Sequence, residues 1–144
     1  AGMPAISDPG YELVKVCVEA NISVVPIPGV TASITALCAS GLPTNKFIFI
    51  GFLPTKIKLR EEQLEKLSNS LETVVLYESP YKLLQTLEDL AKILGGNRKI
   101  VLARELTKLH EEFWRGTVGQ AIIYYRLTIV LHFGYNRAVF VAPS

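Results

Sequence analysis

The stretch from Val24 to Pro43, VVPIPGVTASITALCASGLP, contains the junctions around which the rest of the chain is organised. A β-branched apolar run stops at Pro28-Gly29, and a helix-like run of small and apolar residues then continues to Ala39 before Gly41. This order predicts a strand, a tight turn and a helix. Ligands of open α/β sheets lie beyond the carboxyl ends of strands, which is where such a turn would be. The stretch therefore predicts either a ligand-binding turn or a plain connection between a strand and a helix.

The composition limits what such a turn can serve. The chain has 144 residues, of which 49% are hydrophobic, enough for the core of one domain or of two incomplete halves. The formal net charge of +2 is too small to indicate nucleic-acid binding by itself. Cys17 and Cys38 match no metal-ligand spacing and are expected to be buried free thiols. With no signal peptide and no apolar run long enough for a bilayer, we expect a soluble, cytoplasmic protein.

Apolar periodicity predicts strands that alternate with helices. In the first part of the chain, Ser7 and Asp8 before Pro9 predict a helix start, and residues 22–27 are the predicted strand. Later elements are predicted, in chain order, as a strand at 47–52, a helix over 56–71, a strand at 73–77, a helix starting at Pro80 and a strand at 100–103. This alternation predicts an α/β fold whose second half has a mostly parallel sheet.

Candidate functional residues fall at the ends of the predicted strands. These ends are residues 1–6, 28–32, 77–78 and 104–112. They contain neither a glycine-rich dinucleotide fingerprint nor a Walker phosphate loop, and His110-Glu111-Glu112 lacks the second histidine of a zinc-protease motif. No serine, histidine and aspartate set has the context of a nucleophile elbow. The residues alone thus predict a pocket for a small ligand with carboxylates beside it.

Six short motifs follow one another along the chain in a specific order and spacing. They are AGMPAISDPG at 1–10, PGVTAS at 28–33, GLPT at 41–44, GFLP at 51–54, YESP at 77–80 and ARELTKLHEE at 103–112. Together they resemble the ribosomal RNA small subunit methyltransferase I family, a group of tetrapyrrole-methylase-like proteins. That family uses S-adenosylmethionine to methylate the ribose 2′-hydroxyl of a cytidine in 16S rRNA. The resemblance covers residues 1 to about 117, and it implies a homodimer of chains with two α/β domains and the cofactor in the cleft between them.

The resemblance also implies a set of cofactor contacts. Thr31 and Ala32 match the pair that holds the methionine or ribose part of the cofactor. Tyr77 and Glu78 match the position that closes over the cofactor from the second domain, and Leu106 matches a backbone contact near the adenine. The first motif would contribute, largely through its backbone, Ala1, Gly2, Met3, Pro4 and Ile6. No metal is implied.

Methyl transfer to a ribose needs the hydroxyl oxygen to be held in line, within about 3 to 3.5 Å of the methyl group. A ribose hydroxyl is a weak nucleophile and benefits from a general base, for which Glu78 and Glu105 are the first candidates. A capping or ion-pair role is at least as frequent for such acids. Arg104 and Lys108 are the candidates for contacts with RNA phosphate. The alternative functions are a tetrapyrrole C-methyltransferase that acts on a porphyrinoid precursor, and a non-catalytic fragment that dimerises.

The chain departs from the family pattern towards both of its ends. Residues 127–134, LTIVLHFG, are predicted to form a closing strand, but the tail from about residue 118 is otherwise divergent. The first motif lies in a loop that normally follows a strand. We therefore expect residues 1–43 to be the last part of a first α/β domain, and residues 44–144 to be a second α/β domain.

Overall fold

A five-stranded sheet forms the centre of the part of the chain that the structure, a computed structural model, describes, namely residues 2–128 and 139–141. Its strands are β1 (Phe47–Phe52), β2 (Thr73–Tyr77), β3 (Lys99–Arg104), β4 (Glu112–Thr117) and β5 (Val139–Val141), in the spatial order β1-β2-β5-β3-β4. The helices are α1 (Tyr11–Glu19), α2 (Ala32–Ser40), α3 (Ile57–Ser68), α4 (Pro80–Leu94) and α5 (Val118–Thr128). None of these helices is long and apolar enough to cross a membrane. The α/β class predicted from the sequence is confirmed.

The strand pairing corrects the prediction of a mostly parallel sheet. β1 and β2 are parallel, but β5 is antiparallel to both β2 and β3, and β4 is antiparallel to β3. β1, β2 and β3 still run in one direction, because β5 lies between β2 and β3 and reverses the direction twice. β4 was missed because Glu112 and Arg115 interrupt its apolar residues, and β5 was missed because it lies in the divergent tail.

Side chains along the central strands alternate between two cores. Val74 and Leu76 of β2 pack with buried leucines of α3 and α4 and with Val118 of α5. Val75 and Tyr77 point to the opposite face and pack against α2. This is the period of two expected of a strand whose two faces are both covered. The parity of a residue on β2 therefore decides which set of helices its side chain meets.

The helices of the second half confirm the sequence prediction, with small shifts at their ends. α4 begins with Pro80 at its first position and buries Leu83, Leu87 and Leu90, as its apolar stripe predicts. α3 ends at Ser68, so Leu71, predicted on its apolar face, is exposed instead. The predicted closing strand at 127–134 begins inside α5, and its residues 129–134 lie outside the described residues.

Residues 22–27 form no strand, so that prediction is wrong. The segment is irregular, its apolar side chains are exposed, and it makes no ladder hydrogen bonds with the described strands. A strand exists only where a neighbour supplies those bonds, and β-branched content alone does not provide one. The packing of α2 against both β2 and β3 joins residues before position 43 to the sheet, while the domain division at that position stays a prediction.

α1 starts two residues later than the Ser-Asp-Pro signal predicted. Ser7 has a φ of 51° and is still part of a turn, and Gly10 precedes the helix without a side-chain cap. No residue of α1 is buried. The cysteines are free thiols as expected, but neither is buried: Cys17 is half-buried and Cys38 is exposed, because α2 buries Ser33, Ala36, Leu37 and Ser40 instead.

Candidate active site

The loop of residues 2–10 lies against the turn at 28–30. The N–H of Met3 donates a hydrogen bond of 2.9 Å to the carbonyl of Val30. A Cβ on Gly2 would lie 3.2 Å from this same oxygen, and a Cβ on Gly29 would lie 3.3 Å from Sδ of Met3. Contacts of that length are tighter than ordinary packing. The two glycines therefore allow the loop and the turn to approach each other closely.

The first turn of α2 presents backbone donors at this junction. Thr31 is the N-cap, and its hydroxyl accepts a hydrogen bond of 3.3 Å from the N–H of Ile34. The N–H of Ser33 donates to the hydroxyl of Tyr77 at 3.0 Å. The N–H of Ala32 has no partner among the described residues. Because the N-terminal end of a helix also carries a partial positive charge, this free donor suits an anionic group.

Tyr77 connects α2 to the end of β1. Its ring lies 5.2 Å from that of Phe49 and 5.7 Å from that of Phe52, in edge-on and tilted arrangements. Leu106, from the loop after β3, packs on the same core. These contacts place an aromatic and apolar wall at the carboxyl ends of β1, β2 and β3.

Gly51 completes the connection between β1 and the first loop. It has a φ of 71°, it lies where the pairing of β1 with β2 shifts, and a Cβ there would overlap Oγ of Ser7. A bulge at glycine thus makes room for Ser7. The contacts described above link the first loop, the turn, α2, β2 and β1 into a closed circuit, which we call the contact ring. Its members are Met3, Ser7, Val30, Thr31, Ser33, Phe49, Gly51, Phe52 and Tyr77.

Glu78 lies on the other face of the sheet from the contact ring. Its Oε1 accepts a hydrogen bond of 2.7 Å from the N–H of Ser79, and its Oε2 accepts one of 2.6 Å from the hydroxyl of Thr86. The guanidinium of Arg60 is 4.0 Å from Oε2, and it also donates to Thr86 at 2.6 Å and to Asp89 at 2.7 Å. Both carboxylate oxygens are occupied and the side chain is buried. This geometry favours the capping and ion-pair role over that of a general base.

The loop after β3 holds its charges in pairs. Arg104 forms an ion pair with Glu112, whose other oxygen accepts a hydrogen bond of 3.2 Å from the hydroxyl of Tyr124. Nζ of Lys108 is 3.3 Å from Oε2 of Glu105. The two cations predicted to hold RNA phosphate therefore each have an acidic partner. Lys108 is mostly exposed, and Glu105 keeps 20% of its side-chain surface accessible.

The structure brings together part of the predicted site. Gly2, Met3 and Thr31 meet at the contact ring or beside it, together with Ala32, Tyr77 and Leu106. Pro4 and Ile6 are exposed on the loop, and Ala1 lies outside the described residues. The prediction missed Ser7, Ser33, Phe49 and Phe52, although the motifs PGVTAS and GFLP and the first motif contain three of them. In the described ranges no three His, Cys, Asp or Glu residues are grouped so as to hold a metal ion.

Sequence comparisons link the chain to named proteins. Residues 1–122 match the family model described as Tetrapyrrole (Corrin/Porphyrin) Methylases. The chain is 56% identical over 125 residues to the Ribosomal RNA small subunit methyltransferase I of Synechocystis sp., covering 87% of this chain and 45% of the relative. It is 52% identical over 118 residues to the protein of that name from Haemophilus influenzae, covering 82% and 42%. The chain thus spans less than half the length of these curated relatives, and the resemblance seen in the motifs is confirmed.

Solved structures share the fold. The methyltransferase CobJ superposes with a TM-score of 0.74 at 19% identity, covering 99% of this chain and 62% of the other. The uroporphyrin-III C-methyltransferase of Thermus thermophilus, complexed with S-adenosyl homocysteine, gives a TM-score of 0.61 at 16% identity, covering 98% and 62%. The predicted tetrapyrrole-methylase-like fold is therefore confirmed.

Proposed function

The chain belongs to the tetrapyrrole (corrin/porphyrin) methylase family. From this premise we propose that it functions as a methyltransferase, which transfers the methyl group of S-adenosylmethionine to the 2′-hydroxyl of a cytidine ribose in 16S rRNA. The observation that carries the proposal is the contact ring, which gathers the first loop, the turn, the start of α2 and Tyr77 at the carboxyl end of β2. Relatives 47–56% identical are named as ribosomal RNA small subunit methyltransferases, which supports rRNA over a porphyrinoid precursor as the substrate.

The residues at the contact ring fit this cofactor. The free N–H of Ala32 suits its carboxylate, and the hydroxyl of Thr31 lies beside that donor. The rings of Tyr77 and Phe52, with Leu106, provide an apolar wall for an adenine. A structural neighbour complexed with S-adenosyl homocysteine supports this assignment. The bound cofactor supplies an electrophilic methyl group on a sulfonium. The backbone contacts of Ala1, Gly2, Met3, Pro4 and Ile6 remain part of the proposal.

Glu105 is the acid that we propose as the general base. It lies at the carboxyl end of β3 and is partly accessible, whereas both oxygens of Glu78 are engaged on the other face of the sheet. The base accepts the proton of the ribose hydroxyl as that oxygen becomes the nucleophile. The contact ring contributes by orienting the reacting groups and by excluding water from them.

Two measurements on the 144-residue chain test the proposal. Calorimetric titration with S-adenosylmethionine tests cofactor binding, and we expect saturable binding. Incubation with methyl-labelled cofactor and either small ribosomal subunits or a porphyrinoid precursor tests the substrate. We expect label in 16S rRNA at a ribose that resists alkaline cleavage, since that cleavage needs a free 2′-hydroxyl. Label in the porphyrinoid would instead support the tetrapyrrole C-methyltransferase, and absence of cofactor binding would support a non-catalytic dimerising fragment.

The setting of the activity is part of the same proposal. Small ribosomal subunits are the substrate particles, so we place the protein in the cytoplasm. The family resemblance supports a homodimer and a division into residues 1–43 and 44–144. Analytical ultracentrifugation tests the dimer directly.

A further inference from the structure

Two neighbouring helices begin with exposed lysines that form no ion pair with any residue that the structure describes. Lys56 precedes α3 and Lys58 is in its first turn, while Lys82 is in the first turn of α4. All three are exposed, and none is within ion-pair distance of an acid in the described part of the chain. Beside Lys82, the side chain of Tyr81 is 86% exposed. We call Lys56, Lys58, Tyr81 and Lys82 the lysine rim.

The lysine rim lies at the same edge of the sheet as the contact ring. α3 follows β1 and α4 follows β2, so both helices begin at the carboxyl ends of these parallel strands. Arg60 connects the N-terminal ends of α3 and α4. Its N–H donates to the carbonyl of Lys56 at 3.0 Å, and its guanidinium is 4.0 Å from Glu78, directly before α4. The lysine rim and the contact ring thus share the carboxyl edge of the sheet, the rim on the face of α3 and α4 and the ring on the face of α2. An extended polymer bound at this edge is expected to contact both.

Lysines in these positions oppose helix stability. The N-terminal end of a helix carries a partial positive charge, which favours acidic residues and disfavours cations. α3 has no acid in its first turn and no side-chain hydrogen bond at its N-cap residue. α4 also has no acid in its first turn, and the carboxylate nearest to its start, that of buried Glu78, is occupied by the N–H of Ser79 and by Thr86. Local preferences that are violated at one edge of a fold are typical of functional surfaces. An anion bound by the lysines would remove the conflict.

We propose that the lysine rim binds the phosphate backbone of the RNA strand that carries the methylated ribose, with Tyr81 stacked on one of its bases. This inference rests on the proposed function. Lysines bind phosphate as point charges without a fixed geometry, and an exposed aromatic ring stacks on any base. The lysine rim therefore positions the strand without reading its sequence. It takes the role that the sequence suggested for Arg104 and Lys108, which are paired with acids.

The test is the salt dependence of RNA binding by the 144-residue chain. Fluorescence anisotropy with a labelled single-stranded RNA from the decoding region of 16S rRNA gives affinity as a function of salt concentration. Each phosphate contact on a single strand contributes about 0.7 to the slope of log affinity against log salt. The triple variant Lys56→Gln, Lys58→Gln, Lys82→Gln is expected to lower this slope by about 2. Tyr81→Ala is expected to weaken binding by about tenfold with an unchanged slope, because stacking is not ionic.

Lys66→Gln is the matched control. Lys66 is an exposed lysine in the last turn of the same helix, and it has no ion pair with a described residue. At 1.5 Å per residue it is about 12 Å from Lys58 along the helix, more than the Debye length of about 8 Å at physiological salt. RNA binding should not change in this variant. Thermal melting gives a second readout, since Lys58→Gln should raise the Tm by about 1 °C or more and Lys66→Gln should lower it.

If the triple variant keeps the wild-type salt slope, the proposal that the lysine rim binds RNA phosphate is wrong. If the same variant still methylates small subunits, the proposed function stands without it. A triple variant that loses binding to phosphatidylserine vesicles but keeps its RNA affinity would assign the surface to a membrane and overturn the inference. Methylation of a porphyrinoid by a wild-type chain without RNA affinity would overturn both the inference and the proposed function.

Discussion

Two adjacent residues, Tyr77 and Glu78, have different environments because successive side chains of an extended segment point to opposite faces. Tyr77 meets α2 and the rings of Phe49 and Phe52 on β1, whereas Glu78 meets Arg60 and Thr86 between α3 and α4. The motif YESP predicted a shared role for both. Parity assigns only the side chain of Tyr77 to the contact ring.

Paired substitutions distinguish the two acids. Glu78→Gln should lower the free energy of unfolding by about 1 to 3 kcal/mol, because it removes the buried charge opposite Arg60. Its turnover per folded molecule should stay unchanged. Glu105→Gln should lower turnover by about 10²-fold and leave stability nearly unchanged, because its partner Lys108 is 62% exposed. Urea unfolding and methyl-transfer kinetics measure both. A Glu78→Gln variant with normal stability and slow turnover would return Glu78 to the catalytic role.

Tyr125 gives the fold a dependence on alkaline pH. Burial raises the pKa of its hydroxyl from 10.0 to about 12, against the lowering effect of Arg104. The folded state thus favours the neutral phenol. Its contribution to stability is complete below pH 10 and is lost as pH rises from about 10 to 12. Tyr125→Phe should reduce the slope of unfolding free energy against pH in that window. Tyr81→Phe, at an 86% exposed position, is the control and should keep the wild-type slope.

At the scale of elements, the predictable parts are those whose signals are local. β2 is a short β-branched run and α4 has a proline start and a regular leucine stripe, and the structure has both as predicted. The strand expected at 22–27 failed because pairing depends on a neighbour that no local pattern reveals. β5 illustrates the converse, since three residues of the divergent tail pair with β2 and β3 at the centre of the sheet. Each sequence motif predicted only the residues of the contact ring that it contains. The contacts between motifs, which close the ring, were not predicted.

Arg115 couples β4 to the end of α2. Its guanidinium donates to the carbonyls of Ala39 at 2.6 Å and Ser40 at 3.0 Å, and it lies over the ring of Phe113 at 5.4 Å. It therefore satisfies the last carbonyls of the helix whose first turn lies at the contact ring.

Replacing Arg115 by alanine should destabilise α2 and weaken the site at its other end. We expect a loss of about 1 to 2 kcal/mol in unfolding free energy, because two charge-assisted hydrogen bonds disappear. Affinity for S-adenosylmethionine should fall with it, since α2 presents Ala32. Arg126→Ala, which removes an ion pair with Glu88 at a 61% exposed arginine, is the matched control and should cost under about 0.5 kcal/mol. Equal losses in both variants would contradict the coupling.

At the scale of the whole molecule, the described residues divide into a well-packed part and a poorly packed part. The central strands and α4 contribute most of the buried side chains, and β2 is buried along its whole length. α1 buries none of its residues. Exposed apolar side chains of α1 and the following segment include Leu13, Val16, Val18, Val25 and Ile27. Exposed apolar side chains promote association in solution, and a helix that buries none of its residues adds little to the core, so stability is expected to be unevenly distributed.

Hydrogen exchange tests this division and the contact ring in one experiment. Amides of β2, β3 and α4 should exchange only through global unfolding, because their hydrogen bonds lie under buried side chains, whereas amides of α1 should exchange orders of magnitude faster. S-adenosylmethionine should slow exchange at residues 2–5 and 28–33 and leave α1 unchanged, since only the former border the proposed cofactor position. Strong, uniform protection from exchange between Tyr11 and Ala39 in a monomer would contradict the uneven distribution of stability. Protection by the cofactor at α1, without any change at 28–33, would place the binding site away from the contact ring.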